Sequence, residues 1–302
     1  MKQIGIIGAG NTGANTAFFL AEKRVGRVVL QDIKEGLAIG KALDIMEEAP
    51  LARYQFAIHG TDNEQEALDS DVILLAVGAV RQPGQDRTSV WNENRTLIEA
   101  FANKLKGFQG VVILVTEPVD ASVTLFQKIS GMEPGKVLGI GGALDGERLR
   151  YLVSRELHCV TEDIDALVIG RHDKDMIVPQ DYTRVSGIPV RYLMDQSSLH
   201  AIVQKVKNAG DIVLETSKRS SAFYAPAMVT ADIIQAILND SRRMFSVSTP
   251  LTGQYGVKDV ALSIPAMVGE HGAERLFEPQ LSDEQAKKFQ ESAAAISALV
   301  QS

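Results

Sequence analysis

The chain has a single cysteine, Cys159, so no intrachain disulfide and no thiolate metal cluster can form. Positive charge is in deficit as well. Against 38 Asp and Glu there are 31 Lys and Arg, a net charge of -7, which repels a phosphate backbone rather than recruiting it. Nucleic acid is therefore not an expected partner. No apolar run reaches the roughly 18 to 20 residues needed to span a bilayer, so no membrane is expected either. The first strand begins by Lys2, which leaves no stretch for a signal peptide and makes cytoplasm the expected compartment. Internal repeats and low-complexity linkers are also missing.

What is present is a globular balance, 45% apolar and 23% charged over 302 residues, enough for one large or two ordinary domains. Short apolar runs recur at 3–8, 27–32, 54–60, 71–79, 111–118 and 136–142, each closed by turn residues. Helical spacing separates them, most clearly at 35–48, 89–106 and 119–130. Continuous apolar runs of this length predict strands buried on both faces of a parallel sheet, and the alternation predicts an α/β first half. Near Gly142 the rhythm changes. Beyond it the pattern predicts a helix from Gly146, a strand at 165–170 and a hairpin at 184–191. Two long helices are expected near 197–217 and 222–240, then antiparallel strands around 245–256 and 259–269. The expected architecture is a Rossmann-type parallel sheet over 1–142 followed by a mixed α+β unit over 143–302. A last helix is predicted to start at Ser282, where Gln285 completes a capping box and Asp283 and Glu284 suit the helix dipole.

Chemistry concentrates in a few places. Gly8, Gly10 and Gly13 lie between the first strand and its helix, where bare backbone admits a pyrophosphate and a helix N-terminus favours its charge. A tight turn alone would also explain three glycines. Asp32, about 20 residues on at the end of the second strand, adds a carboxylate placed for a ribose diol and hostile to a 2'-phosphate, favouring NAD over NADP. After the run at 71–79 comes VRQPGQDR, in which Arg81 and Arg87 flank Pro83 and Gly84. Two guanidiniums on such a loop can clamp carboxylates, or they can be surface arginines. Trp91 is expected to pack beneath the loop. Asp145 and Arg148 share a helical face, and His172 follows an apolar run. An imidazole with a carboxylate partner is a general acid or base, although a surface ion pair and a structural histidine remain the plain alternatives. No metal site is expected, since His172, Asp173 and Asp175 have no further ligand cluster beside them.

GAGNTG, QDI with GKALDI, RQPGQDR, EPVD, LDGERLR, GRHDKDMIVP, SAFYAPA and LTGQYGVKD, in that order, resemble the lactate/malate dehydrogenase family, its malate dehydrogenases in particular, from the first strand to the final helix. The resemblance implies reversible, NAD-dependent hydride transfer between a small 2-hydroxy dicarboxylic acid and its 2-oxo acid, in a homo-oligomer, dimer or tetramer. It implies His172 as the proton acceptor, Asp145 as its orienting carboxylate, and Arg148 as the anchor of the substrate's C1 carboxylate. It likewise implies Arg87 as the group polarising the C2 carbonyl, and Arg81 as the selector of a second carboxylate. Gly8, Ala9, Gly10, Asn11, Thr12, Gly13, Asp32, Asn94, Val115 and Glu117 fall at cofactor positions, and Asn94 and Glu117 at substrate positions too.

The sequence departs from the family at three points. Glu117 stands where the family has asparagine, an acceptor in place of a donor. It is expected either to be a neutral acid in a dry pocket, or to pair with an arginine, Arg171 being the candidate, or to mark a different substrate or lost activity. The stretch Asp173-Lys174-Asp175 is charged and one residue longer than the family's, which bears on the orientation of His172. Glu147 is expected to bring one more charge to the same cleft. Alternative expectations are therefore a dehydrogenase of another 2-hydroxy acid, or a weakly catalytic NAD-binding protein.

Overall fold

The computed structural model describes residues 2–52, 58–85, 88–218 and 221–302. Its first half alternates as expected. The elements are β1 (Gln3–Ile7), α1 (Asn11–Glu22), β2 (Arg27–Gln31), α2 (Leu37–Ala52), β3 (Ile58–Thr61), α3 (Glu64–Leu68), β4 (Val72–Leu75), α4 (Trp91–Lys104), β5 (Val111–Leu114), α5 (Val119–Ser130) and β6 (Val137–Gly139). The first four residues of the strand expected at 54–60 lie outside the described residues. The short α3 was not anticipated. Its five residues carry no apolar stripe, and the Asn63 side chain caps it by accepting from the Gln65 N–H.

Beyond β6 come α6 (Gly141–Leu157), β7 (Ile164–Asp165), β8 (Arg184–Val185), β9 (Ile188–Pro189), α7 (Gln196–Ser217), α8 (Tyr224–Leu238), β10 (Arg243–Thr252), β11 (Lys258–Gly269), β12 (Gly272–Leu276) and α9 (Asp283–Gln301). The expected strand at 165–170 is a correction. Only β7 and two isolated bridges, Ile169 to Ile177 and Gly170 to Ser263, form there. The Val168 carbonyl between them accepts from the Ser246 hydroxyl at 2.5 Å, so the apolar run satisfies its backbone piecemeal rather than in a ladder. The hairpin at 184–191 does form, with Ser186 and Gly187 both at positive φ, as a two-residue turn requires.

Among the described residues one nine-stranded sheet runs in the order β12-β11-β10-β6-β5-β4-β1-β2-β3. The strands from β3 to β6 are parallel, and β10 joins β6 antiparallel through Ser248 and Gly139. Successive residues of β4 serve opposite cores: Val72 and Leu74 pack with α1 and α8, Ile73 and Leu75 with α4, α5 and α9. That double burial is why the strand reads as an unbroken apolar run. A third cluster, with Leu149, Val153 and Leu199, holds α6 and α7 together. The order 3-2-1-4-5-6 reverses direction between β1 and β4, and in open α/β sheets ligands sit outside the carboxyl ends of the strands at such a point.

The predicted capping box is present at α9, where Ser282 and Gln285 bond each other's backbone N–H groups. Ser282→Ala should therefore cost about 1 kcal/mol, read as a lower urea midpoint with an unchanged slope. An unchanged midpoint would mean that α9 is held by Phe289 and Ile296 packing alone.

Candidate active site

The turn after β1 is shaped by what its glycines lack. Gly8 sits at φ +102°, and a Cβ there would lie 2.4 Å from the Ala76 carbonyl. A Cβ on Gly13 would lie 1.8 Å from the Gly8 carbonyl, so α1 packs onto β1 only without it. At Gly10 an added Cβ would meet nothing within 4 Å, which makes the turn's outer side an open cradle. α1 begins here with no acidic residue in its first turn, so its N-terminal N–H groups, those of Asn11 and Thr12 among them, suit an anion. Asp32 accepts from the Ala9 N–H at 2.7 Å and the Lys34 N–H at 2.9 Å, which sets the carboxylate beside the turn. Lys41 donates to the Ala9 carbonyl at 2.7 Å, a buttress from α2 that single-residue reading missed. These groups fit NAD.

The cleft at the switch point is lined by Thr12, residues 76–81, Asn94, residues 115–117, Arg148 and His172. Ser221, Ala222 and Pro226 of the SAFYAPA segment close its far side. Asn94 is fully buried. Its Oδ1 accepts from the Ala79 N–H and its Nδ2 donates to the Glu117 carbonyl, each at 2.6 Å, so it ties the end of β4 to the end of β5. Val115, just past β5, donates its N–H to the Leu75 carbonyl at 3.2 Å. Trp91 is a buried packing residue, with Nε1 donating to the Leu299 carbonyl at 3.0 Å. Arg87 lies outside the described residues.

Asp145 collects the other charged groups. Fully buried on α6, it faces His172 Nδ1 at 2.5 Å through Oδ2 and accepts from Arg148 Nη1 at 3.0 Å through Oδ1. An ionised carboxylate only accepts, so Nδ1 carries the proton and Nε2 is the basic nitrogen. The geometry brings His172, Asp145 and Arg148 into one chain of contacts. The charged stretch after His172 closes on itself. Arg171 pairs with Asp173 at 2.6 Å, and Asp173 accepts from the Asp175 N–H at 2.7 Å.

A second buried carboxylate supports the histidine from behind. Asp120 accepts from the His172 backbone N–H at 2.7 Å and from the Ser248 hydroxyl at 2.6 Å. It was missed in the sequence although it ends the EPVD motif, because a carboxylate in a helix's first turn reads as a dipole partner. Burial pushes its carboxyl above the usual carboxylate range, against the pull of those two hydrogen bonds.

Two expectations need correcting. Glu117 does meet an arginine, but it is Arg81, whose Nε lies 3.3 Å from Oε2; Arg171 is taken by Asp173. Glu147 pairs with Arg150 at 2.9 Å and is half-exposed outside the cleft lining, since α6 turns it away from the face that carries Asp145 and Arg148. The remaining surprise is Asp211 on α7, which accepts from Arg81 Nη1 at 2.9 Å. Among the described residues no group of acids, histidines and cysteine is arranged to hold a metal ion.

A family model described as the lactate/malate dehydrogenase NAD binding domain matches residues 2–139. One described as the lactate/malate dehydrogenase alpha/beta C-terminal domain matches residues 142–301. The malate dehydrogenase of Heliobacterium modesticaldum is 34% identical over 301 residues, covering 99% of this chain and 97% of its own. The crystal structure of Cryptosporidium parvum malate dehydrogenase superposes with a TM-score of 0.96 at 34% identity, covering 99% of this chain and 98% of that one. The lactate dehydrogenase of the same organism, solved with lactic acid and nicotinamide adenine dinucleotide, superposes with a TM-score of 0.95 at 29% identity, covering 99% and 97%.

Asp120 yields a test through linkage. Its folded-state value is raised, so its contribution to stability is fullest below the unfolded value and is lost as pH rises through the folded one. Asp120→Asn, which has nothing to titrate there, should gain on the unmodified protein as pH climbs from the ordinary value of 3.8 through the raised one. Urea midpoints across that window would show it; a difference independent of pH would remove burial as the cause.

Proposed function

Since the chain belongs to the lactate/malate dehydrogenase family, we propose that it is an NAD-dependent malate dehydrogenase, interconverting (S)-malate and oxaloacetate. The observation that carries the reading is the buried chain from Asp145 to both His172 and Arg148, opening on the cleft beside the NAD turn. Arg81 at the same cleft supports a substrate with a second carboxylate.

Bound along the turn and Asp32, NAD supplies the acceptor for the hydride from C2. The protein's own residues do the rest. Arg148 takes the C1 carboxylate, a bidentate match that fixes the acid's orientation. His172 Nε2 accepts the C2 hydroxyl proton, and Asp145 holds the ring in the required tautomer and stabilises the imidazolium that results. Arg81 faces the distal carboxylate. Arg87 is assigned to the C2 oxygen, where a cation stabilises charge as the carbonyl forms or is reduced. Thr12, Asn94 and Val115 border the cofactor, and the loop of Arg81 and Gly84 limits water in the cleft.

The same reading divides the chain into a cofactor unit, 1–142, and a substrate unit, 143–302, and places it in the cytoplasm as a homo-oligomer. Among the described residues no helix is long and apolar enough to cross a membrane. The exposed Ile39 and Leu43 on α2 give a second subunit apolar surface to cover.

The purified protein should oxidise NADH with oxaloacetate faster than with pyruvate. Asp145→Asn should lower kcat by roughly 10²- to 10⁴-fold with NADH affinity retained. Binding of NADH without reduction of oxaloacetate would sink the malate assignment.

A further inference from the structure

Arg81 is surrounded by acceptors. Its side chain is 4% exposed. Nη1 donates to Asp211 at 2.9 Å and to the Gln85 carbonyl at 3.0 Å, while Nε faces Glu117 at 3.3 Å. Two of these three acceptors are carboxylates, delivered by separate elements: Glu117 after β5, Asp211 from α7. Lys174 stands 3.5 Å from the other oxygen of Asp211 and offsets part of its charge from the solvent side. A substrate's distal carboxylate would thus be the third anion on one guanidinium, in a partly dehydrated cleft where like charges repel more strongly than in water.

We infer that Glu117 and Asp211 compete with the substrate's distal carboxylate for Arg81, and so set how far the site prefers a dicarboxylic to a monocarboxylic hydroxy acid. The inference deepens the malate reading and rests on it. Both residues act through Arg81, so they are specificity-determining. The sign of their effect separates competition from support. If they merely braced the guanidinium, removing either one would loosen it and weaken the dicarboxylate. If they compete, removing either releases charge to the ligand.

The experiment measures binding of (S)-malate and of (S)-lactate to the full chain saturated with NADH, read by the fluorescence of the bound cofactor. Neither acid accepts a hydride, so no turnover interferes. The two share C1 and C2 and differ at the distal carboxylate, so their affinity ratio cancels changes at the reacting end. Glu117→Gln and Asp211→Asn, each checked for intact NADH binding, should each raise the malate-to-lactate affinity ratio by about tenfold. A ratio that is unchanged or lower in both variants overturns the inference, as does a failure of malate to bind any of the three proteins. The malate reading fails separately, through absent oxaloacetate reduction by the unmodified protein, and the ratio remains measurable in that case.

Discussion

A carboxylate with no exposure to water holds the reacting end of this protein together. Asp145 is buried completely and answered by two groups, the imidazole of His172 at 2.5 Å and the guanidinium of Arg148 at 3.0 Å. A buried charge is tolerated only where its partners are close and well aligned, and losing one leaves the other stranded. The packing around α6 reflects that demand. Gly141 and Gly142 let the start of the helix press against β11 and the segment before His172: a Cβ on Gly141 would lie 2.4 Å from the Ser263 hydroxyl oxygen and one on Gly142 2.4 Å from the Val168 carbonyl, and the Ser263 hydroxyl accepts from the Gly142 N–H at 2.8 Å. Arg148 and His172 are therefore both positioned by one side chain on one helix.

The histidine is gripped from two directions. Asp145 orients its ring, and Asp120 holds its backbone while binding Ser248 of β10. The bridges Ile169 to Ile177 and Gly170 to Ser263 pin the chain on either side. The acidic turn that follows His172 closes on itself through Arg171, Asp173 and Asp175.

What was legible in the sequence was local. The parallel strands announced themselves by double burial, the open turn after β1 by its glycines, and α9 by a capping box whose two members sit three residues apart. What was illegible depended on approach between distant segments. The apolar run at 165–170 looked like a strand, yet its neighbours offered a hydroxyl and isolated bridges in place of a ladder. β12 escaped notice because its five residues, GAERL, place two adjacent exposed charges, Glu274 and Arg275, on the edge strand and so leave no apolar run. An ion pair with Arg171 was one of three readings of Glu117, and the sequence could not show that Arg171 pairs with Asp173 while Arg81 approaches Glu117. Nothing near Asp211 in the sequence marks it as a partner of a residue 130 positions away.

The sheet that carries all this does not stop between the two halves of the chain. β10 continues the plane of β6 through the pairing of Ser248 with Gly139, and Gly139 has room for no side chain between Val119 and Ser248. A molecule built on one uninterrupted plate resists bending across it. Ligand capture therefore does not draw on a hinge between the two halves, and the gross shape and tumbling of the chain stay the same whether the cleft is empty or filled.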